Sequence, residues 1–405
     1  MSRAERVALV VAVVLVAVAV GVGAVVLGQG RASSAGPSSG LPSPSPTSTP
    51  TPAASAPAAS PTPTPDDGWT LEQKVGQLFV VGVDVSGPAD VSREAIEQYH
   101  VGNLFLHGRS AAGIDEVRAL VERYTGLVGP TTTHGTPMLV STDQEGGTVQ
   151  VLRGDGFDDI PAATEQATWD VAELRERAAG WGAQLAAAGV NLDLAPVMDL
   201  VPPGTQADNP PVGALQRNYG TTVDSVSTHA NAFSAGLRDS GVAVAIKHFP
   251  GLGRVTADTD SSADVVDDVT TRDDEQLDVF RAGIDAGAQL VMVSTAVYAK
   301  LDPDHPAAFS STVVTDLLRG ELGFDGLVVT DDLSGAEQVH AWSPADRAIS
   351  AIDAGVDLVL VSKVPDVAPE MVQAVVHQAQ VDDEFRAEVE AAWQRVLSAK
   401  SSMLG

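Results

Sequence analysis

Charged side chains stand directly behind three apolar runs of this chain. They are Lys247 and His248 after residues 241–246, Asp143 after residues 137–142, and Asp331 with Asp332 after residues 326–330. Short apolar runs of this kind are typical of buried parallel strands. In α/β enzymes the catalytic groups lie where such strands end, so we expect these acids and bases to meet at one edge of a sheet.

Eight apolar runs predict the strands that position these groups: residues 75–83, 101–107, 137–142, 190–197, 242–247, 288–294, 326–330 and 356–362. Amphipathic stretches lie between them, and they include residues 114–127, 171–188, 273–286, 344–354 and 383–399. Eight β/α units predict an α/β fold of the (β/α)8 TIM-barrel type. A doubly wound open sheet is the alternative, but the chain lacks the Gly-rich loop that binds dinucleotides in such folds.

The first 67 residues have a composition that cannot bury a core. Residues 7–27 are an unbroken apolar stretch behind Arg3 and Arg6, which predicts that residues 1–30 are a transmembrane anchor, with a cleaved signal sequence as the alternative. Residues 31–67 are rich in Ser, Pro and Thr and predict a disordered linker. We therefore expect one catalytic domain, residues 68–405, outside the cytoplasm and either membrane-anchored or secreted.

The charge balance and the cysteine count exclude several functions. The chain has 24 basic and 53 acidic residues and a formal net charge of −29, which argues against binding to nucleic acid. It contains no Cys, and therefore no disulfide and no lipid-modified cysteine anchor. Its carboxylates show no regular ligand spacing for Mg²⁺ or Ca²⁺, so no metal site is expected. We expect a monomer.

Five segments, in the order of the chain, resemble motifs of glycoside hydrolase family 3: residues 70–77, 143–147, 213–217, 247–253 and 323–334. Residues 69–404 as a whole resemble the β-N-acetylhexosaminidases of the NagZ type, which remove β-linked N-acetylglucosamine from peptidoglycan fragments. The resemblance implies a single (β/α)8 barrel, a carbohydrate substrate and no cofactor.

The resemblance also implies a role for each matching residue. Asp331 would be the nucleophile that forms a covalent glycosyl-enzyme intermediate. Asp143, Arg217, Lys247 and His248 would bind hydroxyl and N-acetyl groups of the terminal sugar, as carboxylates and cations do through charge-assisted hydrogen bonds. The implied activity is that of an exo-acting, retaining β-N-acetylglucosaminidase.

The chain departs from the family at the acid/base position. A retaining mechanism usually needs a second carboxyl group, about 5 to 5.5 Å from the nucleophile, to protonate the leaving oxygen. The NagZ pattern supplies a His from an Asp-Ser-His loop, whereas this chain has Asp258, Thr259 and Asp260. An ordinary Asp has a pKa of about 3.9 and is ionised at neutral pH. To act as an acid, Asp260 therefore needs burial or a like-charged neighbour such as Asp258 to raise its pKa. We then expect a pH optimum below that of the His-bearing relatives.

Two further departures favour an alternative function, a catalytically impaired barrel that binds wall glycans. Leu252 stands where the family usually has a second His, and Val151 stands where an Arg commonly contacts substrate, with Arg153 as a candidate replacement. Retention of the residues that match the nucleophile and the sugar ligands favours an active hydrolase. We interpret Asp332 and Glu145 as structural partners of their neighbours rather than as further catalysts.

Overall fold

A computed structural model of the chain describes residues 68–405. The predicted anchor, residues 1–30, and the predicted linker, residues 31–67, lie outside the described residues. From residue 68 to the end of the chain, no helix is both long and apolar enough to cross a membrane.

Eight parallel strands form one sheet that curls round and nearly closes. The strands are β1 (Phe79–Asp84), β2 (Asn103–His107), β3 (Leu139–Thr142), β4 (Leu192–Asp193), β5 (Ala243–Phe249), β6 (Leu290–Val293), β7 (Leu327–Thr330) and β8 (Val359–Val361). Neighbours in the sheet follow chain order from β1 to β7, and β8 pairs with β1 on its other side. This is the predicted (β/α)8 barrel.

Helices flank the strands along the chain. They are α1 (Leu71–Gly76), α2 (Asp90–Tyr99), α3 (Ile114–Thr125), α4 (Ala163–Gln166), α5 (Val171–Ala187), α6 (Val223–Asp239), α7 (Glu275–Asp285), α8 (Pro344–Asp353), α9 (Ala368–Val381) and α10 (Asp383–Leu404). A π-helical segment, Thr312–Glu321, occupies the place after β6. Polar N-caps begin several of these helices, as where the Asp274 side chain accepts from the backbone of Gln276 in α7.

One difference from the predicted elements concerns the first strand. Residues 75–78 belong to the predicted run, yet β1 begins at Phe79 and Val75 lies in α1. Thr70 and Gln73 form a reciprocal capping box that begins α1, so the buried Val75 packs from a helix rather than from a strand. An apolar run alone does not distinguish these two cases.

The barrel closes between β7 and β8 with few regular pairs. Val329 and Leu358 form a single parallel bridge, and the backbone N–H of Thr330 donates to the carbonyl of Leu358 at 3.0 Å. One step further, the N–H of Leu360 donates to the Thr330 hydroxyl, Oγ1, at 3.0 Å. A side chain therefore replaces a carbonyl as acceptor at this seam.

The C-terminal helix α10 covers the base of the barrel, opposite the catalytic edge. Its Arg395 binds the fully buried carboxylate of Asp357 at 2.6 Å. Its Lys400 is 1% exposed and donates from Nζ to Gln77 Oε1 at 2.7 Å and to the carbonyl of Gly102 at 3.0 Å. Burial lowers the pKa of Lys400 to about 7.

Candidate active site

A cavity of about 420 Å³ opens at the carboxyl ends of the strands. All the residues that the sequence predicts for the site line it: Asp143, Arg217, Lys247, His248, Asp258, Asp260 and Asp331. The barrel therefore brings together groups that are up to 188 residues apart in the chain, because parallel strands deliver their ends to one edge.

Asp331 is the first residue after β7, and its backbone N–H donates to the carbonyl of Val293 at 2.9 Å. Its carboxylate accepts from the N–H of Asp332 at 2.8 Å. Burial raises the pKa of Asp331 above its ordinary value, while the nearby His248 and Lys247 act in the opposite direction. The carboxylate thus faces the cavity with one hydrogen bond from its own loop.

The carboxylate of Asp332 accepts hydrogen bonds from residues of two neighbouring loops. It accepts from the backbone and the hydroxyl of Ser334 at 2.9 and 2.6 Å and from the backbone of Gly335 at 3.1 Å. It also accepts from the backbone N–H groups of Ser362 at 2.8 Å and Lys363 at 3.2 Å. These bonds tie the loop after β7 to the loop after β8, in agreement with a structural role for Asp332.

Two carboxylates and two cations form a largely buried network at the cavity. Lys247 Nζ lies 2.6 Å from Asp143 Oδ1 and 2.6 Å from Glu145 Oε1. Arg217 binds Glu145 with both ends of its guanidinium, at 2.7 and 2.8 Å. Burial alone would raise the pKa of Glu145, but Arg217 and Lys247 lower it to about 2. Glu145 therefore holds both cations in place.

His248 is oriented by a residue that sequence reasoning missed. Asp199 is fully buried, and its Oδ2 lies 2.7 Å from His248 Nδ1. Its Oδ1 accepts from the backbone N–H groups of His248 at 3.1 Å and Leu252 at 2.8 Å. The other ring nitrogen, Nε2, lies 3.3 Å from Arg217 Nη2. Nδ1–H donates to Asp199 Oδ2, and because Arg has only donors, the contact with Arg217 is a hydrogen bond only where Nε2 accepts.

A second missed acid, Asp193, ends β4 beneath the network. It is fully buried, and its Oδ1 accepts from the backbone N–H of Gln144 at 2.9 Å. Burial raises its pKa to about 8, so this carboxyl is largely protonated at neutral pH. The available signal for Asp193 and Asp199 is the presence of two acidic residues inside the mainly apolar run 190–201.

The loop that carries Asp258 and Asp260 is docked on the segment that follows Asp331 in the chain. Asp258 Oδ1 accepts from the N–H of Asp260 at 2.9 Å. The carbonyl of Thr259 accepts from the N–H of Gln338 at 3.1 Å, and the carbonyl of Asp260 accepts from the N–H of Glu337 at 3.3 Å. Thr259 itself is buried. Backbone bonds thus hold the acidic turn at the cavity.

Asp260 stands at the exposed rim of the cavity, next to several other acids. Although the residue as a whole is exposed, desolvation of its carboxyl group, followed by the charges of Asp331, Asp258 and Asp332, raises its pKa to about 7, against an opposing effect of Lys363. A carboxyl group with this pKa both donates and accepts a proton near neutral pH.

Arg153 does not replace the substrate-binding Arg that the family has at the position of Val151. Val151 is buried and lines the cavity, whereas the Arg153 guanidinium binds Asp159 and does not reach the cavity. Arg109, which follows β2, lines the cavity instead. Its guanidinium donates to the carbonyl of Thr148 at 2.9 Å. An arginine at the cavity is therefore supplied by the loop after β2 rather than by the segment that contains Val151.

Comparison with known proteins agrees with this geometry. Residues 70–399 match the family described as the glycosyl hydrolase family 3 N-terminal domain. A β-hexosaminidase of Nitrosomonas eutropha is 31% identical over 317 residues, which are 76% of this chain and 87% of the relative. The crystal structure of a β-N-acetylhexosaminidase from Beutenbergia cavernae is 60% identical with a TM-score of 0.82, and the match covers 82% of this chain and 99% of that one.

A family 3 β-N-acetylglucosaminidase from a Paenibacillus species is also similar. It is 31% identical with a TM-score of 0.75, over 83% of this chain and 63% of that chain. The barrel and the resemblance predicted from the motifs are thereby confirmed. The chain belongs to glycosyl hydrolase family 3, and it is a glycoside hydrolase of the β-N-acetylhexosaminidase type.

Proposed function

We propose that the chain is an exo-acting, retaining β-N-acetylglucosaminidase in which Asp331 is the nucleophile and Asp260 is the acid/base. The observation that carries this proposal is that Asp331 and a second carboxyl, Asp260, line the same cavity, where burial and neighbouring acids raise the pKa of Asp260 to about 7. A retaining glycosidase uses two carboxyl groups, one as the nucleophile and one as the acid/base.

The first step makes a covalent intermediate. The carboxylate of Asp331 attacks the anomeric carbon, and the bond from that carbon to the glycosidic oxygen breaks. The proton of Asp260 goes to the departing oxygen, so the leaving group departs neutral. In the second step the Asp260 carboxylate takes a proton from water, whose oxygen attacks the anomeric carbon and releases Asp331. Two inversions retain the β configuration.

The buried network is suited to binding the terminal sugar. Asp143 and Lys247 present a carboxylate and an ammonium to the cavity, and His248 and Arg217 add further polar groups beside them. Because Glu145 and Asp199 hold these side chains in single orientations, little conformational entropy is lost when a sugar binds.

The source of the substrate is part of the proposal. We place the enzyme outside the cytoplasm, acting on β-N-acetylglucosamine at the ends of peptidoglycan fragments. The apolar residues 7–27, the Pro-rich residues 31–67 and the net charge of −29 support this location. The resemblance to the NagZ type supports the substrate.

The alternative is a barrel that binds wall glycans with impaired catalysis. Asp260 stands where the family has a His in this loop, and Leu252 and Val151 replace a His and an Arg. These three differences favour the impaired barrel. The raised pKa of Asp260 favours the active enzyme, because that carboxyl is protonated where an ordinary Asp is not.

The test follows release of 4-nitrophenol from its β-N-acetylglucosaminide by the full-length chain across pH 4 to 8. Asp331→Asn should lose at least about a thousandfold in kcat, and a 5-fluoro N-acetylglucosaminide should add its glycosyl mass to the peptide that contains Asp331. Asp304→Asn, a change of an exposed carboxyl group that does not line the cavity, is the matched control. Absence of hydrolysis by the natural chain at every pH, with sugar binding retained, would establish the impaired barrel instead.

A further inference from the structure

One histidine of the cavity takes no part in the buried network. His107 is the last residue of β2, and it lines the same cavity as Asp331. Phe105, two residues earlier, also lines the cavity, and its ring lies nearly parallel to the imidazole, at an interplanar angle of 11° and with 6.4 Å between the ring centres. Side chains two residues apart on a strand share one face, so both rings face the interior of the barrel.

The backbone of His107 is fixed, whereas its ring nitrogens have no partner in the protein. His107 pairs with Asp84 of β1, and its carbonyl accepts from the backbone N–H of Val85 at 3.0 Å. Within residues 68–405, neither ring nitrogen takes part in a hydrogen bond. The residue is partly buried at the wall of the cavity. A ligand in the cavity is therefore the group that can satisfy these nitrogens.

The two carboxylates whose charges act on His107 already have other partners. Asp84 accepts from the backbone and the hydroxyl of Ser86 at 2.7 and 2.6 Å, and Asp332 accepts from the loops after β7 and β8. Burial lowers the pKa of His107 below its ordinary 6.5 against the effect of both charges, so the ring is neutral at pH 7. A neutral imidazole has one donor and one acceptor nitrogen, and a hydroxyl group likewise both donates and accepts.

The order of the strands shows how a sugar lies across the barrel. Asp331 follows β7 and Asp143 follows β3, and these strands are on opposite sides of the ring of eight. Attack by Asp331 requires the anomeric carbon, C1, beside it. Carbon C4, across the pyranose ring from C1, then points toward Asp143. One edge of the sugar faces β8, β1 and β2, and the other edge faces β4, β5 and β6.

Chirality determines which edge of the sugar meets which strands. Right-handed β/α connections make the strands run anticlockwise from β1 to β8 when the barrel is viewed from its catalytic edge. Asp331 stands at the strand ends and attacks the α face, so the β face of the sugar is turned to that viewer. Seen from the β face, the ring carbons of a D-sugar run clockwise from C1 to C5. The acetamido group on C2 therefore lies toward β6, and the hydroxymethyl group on C5 lies on the side of β1 and β2.

We infer that His107 binds the 6-hydroxyl group of the terminal sugar and makes the enzyme specific for sugars that carry this hydroxyl. The inference rests on the proposed function, because it takes Asp331 as the nucleophile that attacks a β-linked sugar. The 6-hydroxyl gives the imidazole the partner that the protein does not supply. Phe105 packs against the imidazole and limits its rotation. Met292 of β6 lines the cavity on the other side, where the acetamido group lies.

The experiment compares the 4-nitrophenyl β-glycosides of N-acetylglucosamine and of its 6-deoxy analogue. We expect the natural chain to prefer the 6-hydroxy substrate by about tenfold in kcat/KM, the effect of one hydrogen bond to a partly buried group. His107→Phe should lower the preference to about twofold or less, because Phe packs on Phe105 but forms no hydrogen bond. His107→Gln keeps a donor and an acceptor and should retain part of it. His377→Phe, which changes an exposed histidine outside the cavity, should keep the full preference.

A second pair of substrates tests the orientation of the sugar. Replacement of N-acetyl by N-propionyl alters the edge that faces β6, so His107→Phe should leave the preference between these two acyl groups unchanged. A 6-hydroxyl preference that His107→Phe does not alter, or a change in the acyl preference instead, would overturn the inference. So would a loss that grows as the leaving group becomes poorer, because His107 would then be a proton donor. If His107→Phe does not fold by circular dichroism, the partial loss in His107→Gln is the test.

A binding measurement separates this inference from the proposed function. Calorimetric titration of the Asp331→Asn variant with the two 4-nitrophenyl glycosides needs no hydrolysis. Tighter binding of the 6-hydroxy glycoside that disappears when His107→Phe is added supports the inference even where the natural chain hydrolyses neither substrate, in which case only the hydrolase proposal fails. Equal affinity for the two glycosides, beside normal hydrolysis of the 6-hydroxy substrate, rejects the inference alone.

Discussion

Environment gives the carboxyl groups of this cavity different chemical properties. Glu145 lies between two cations and has its pKa lowered to about 2, whereas Asp260 faces other acids and has its pKa raised to about 7. The first is always charged at physiological pH and serves as a fixed anion. The second exchanges its proton near neutrality, as an acid/base must.

The pH dependence of hydrolysis follows from these values. Asp260 must be protonated to act as the acid, so kcat/KM should fall about tenfold per pH unit above about pH 7. Asp331 must be ionised, and because burial raises its pKa, activity should also fall on the acid side. We expect a bell-shaped profile with its optimum below pH 7, measured with the 4-nitrophenyl glycoside.

Substitution of Asp260 tests the assignment of the acid limb. Asp260→Ala should remove the fall above pH 7 and should impair natural glycosides more than 4-nitrophenyl ones, because a good leaving group needs no acid. An optimum at or above pH 7.5, or equal losses on both substrates, would contradict the role of Asp260.

Asp199 positions His248 without facing the substrate. Asp199→Ala leaves the ring and two backbone N–H groups without their acceptor, and a misplaced His248 should lower kcat/KM about a hundredfold. Asp199→Asn keeps one acceptor oxygen and should give an intermediate value. Circular dichroism and the exposed-site variant Asp304→Asn control for unfolding. If both Asp199 variants lose the same activity, the graded positioning role is wrong.

At the scale of elements, Glu145 joins three pieces of the barrel. It lies in the short strand after β3, and its partners are Lys247 at the end of β5 and Arg217 in the loop between β4 and β5. Removing one partner of a buried ion cluster leaves uncompensated charge, which costs more than an exposed ion pair contributes.

Glu145→Gln should therefore destabilise the fold by about 3 to 5 kcal/mol at pH 7, measured by urea unfolding. The pKa of Glu145 is about 2 in the folded chain and ordinarily 4.5, so the stability it contributes is fully present above pH 4.5 and is lost as pH falls toward 2. The difference between natural chain and variant should shrink over that range. The exposed Glu94→Gln supplies the control.

Much of the barrel was predictable because its strands are short apolar runs that alternate with amphipathic stretches. Helices α3, α5 and α8 begin at the predicted residues. Two predicted strands differ from the structure. Val75 is buried in a helix, and only Leu192–Asp193 of the predicted run 190–197 pairs as a strand. The site residues were predictable where they follow strands, whereas Asp199 acts through contacts that no spacing reveals.

At the scale of the whole molecule, the base of the barrel carries a buried amine. Lys400 in the final helix donates to two acceptors on segments more than 290 residues away. Its folded pKa of about 7 lies below the ordinary 10.5. The unfolded chain therefore binds one more proton than the folded chain between these two pH values, and stability must rise with pH there.

Lys400→Met should remove this pH dependence. From pH 7 to pH 10, the free energy of unfolding of the natural chain should rise relative to the variant by up to about 1.4 kcal/mol per pH unit. Chemical unfolding at several pH values measures both chains. A constant difference would mean that Lys400 stays charged in the fold. Lys300→Met controls for the loss of an exposed lysine.

The seam between β7 and β8 couples the closure of the barrel to its chemistry. The last N–H groups on the β8 side, those of Leu360, Ser362 and Lys363, are held by the side chains of Thr330 and Asp332. A side-chain acceptor can rotate away without separation of the two strands. We therefore expect these amides to exchange with deuterium through a local opening. Because Asp331 lies between Thr330 and Asp332, we expect the same opening to displace it, and a sugar that binds only the closed form should slow the exchange by a factor of 1 + [L]/Kd. The rate of deuterium uptake at these three amides would thus report how often the nucleophile of the empty enzyme is out of place.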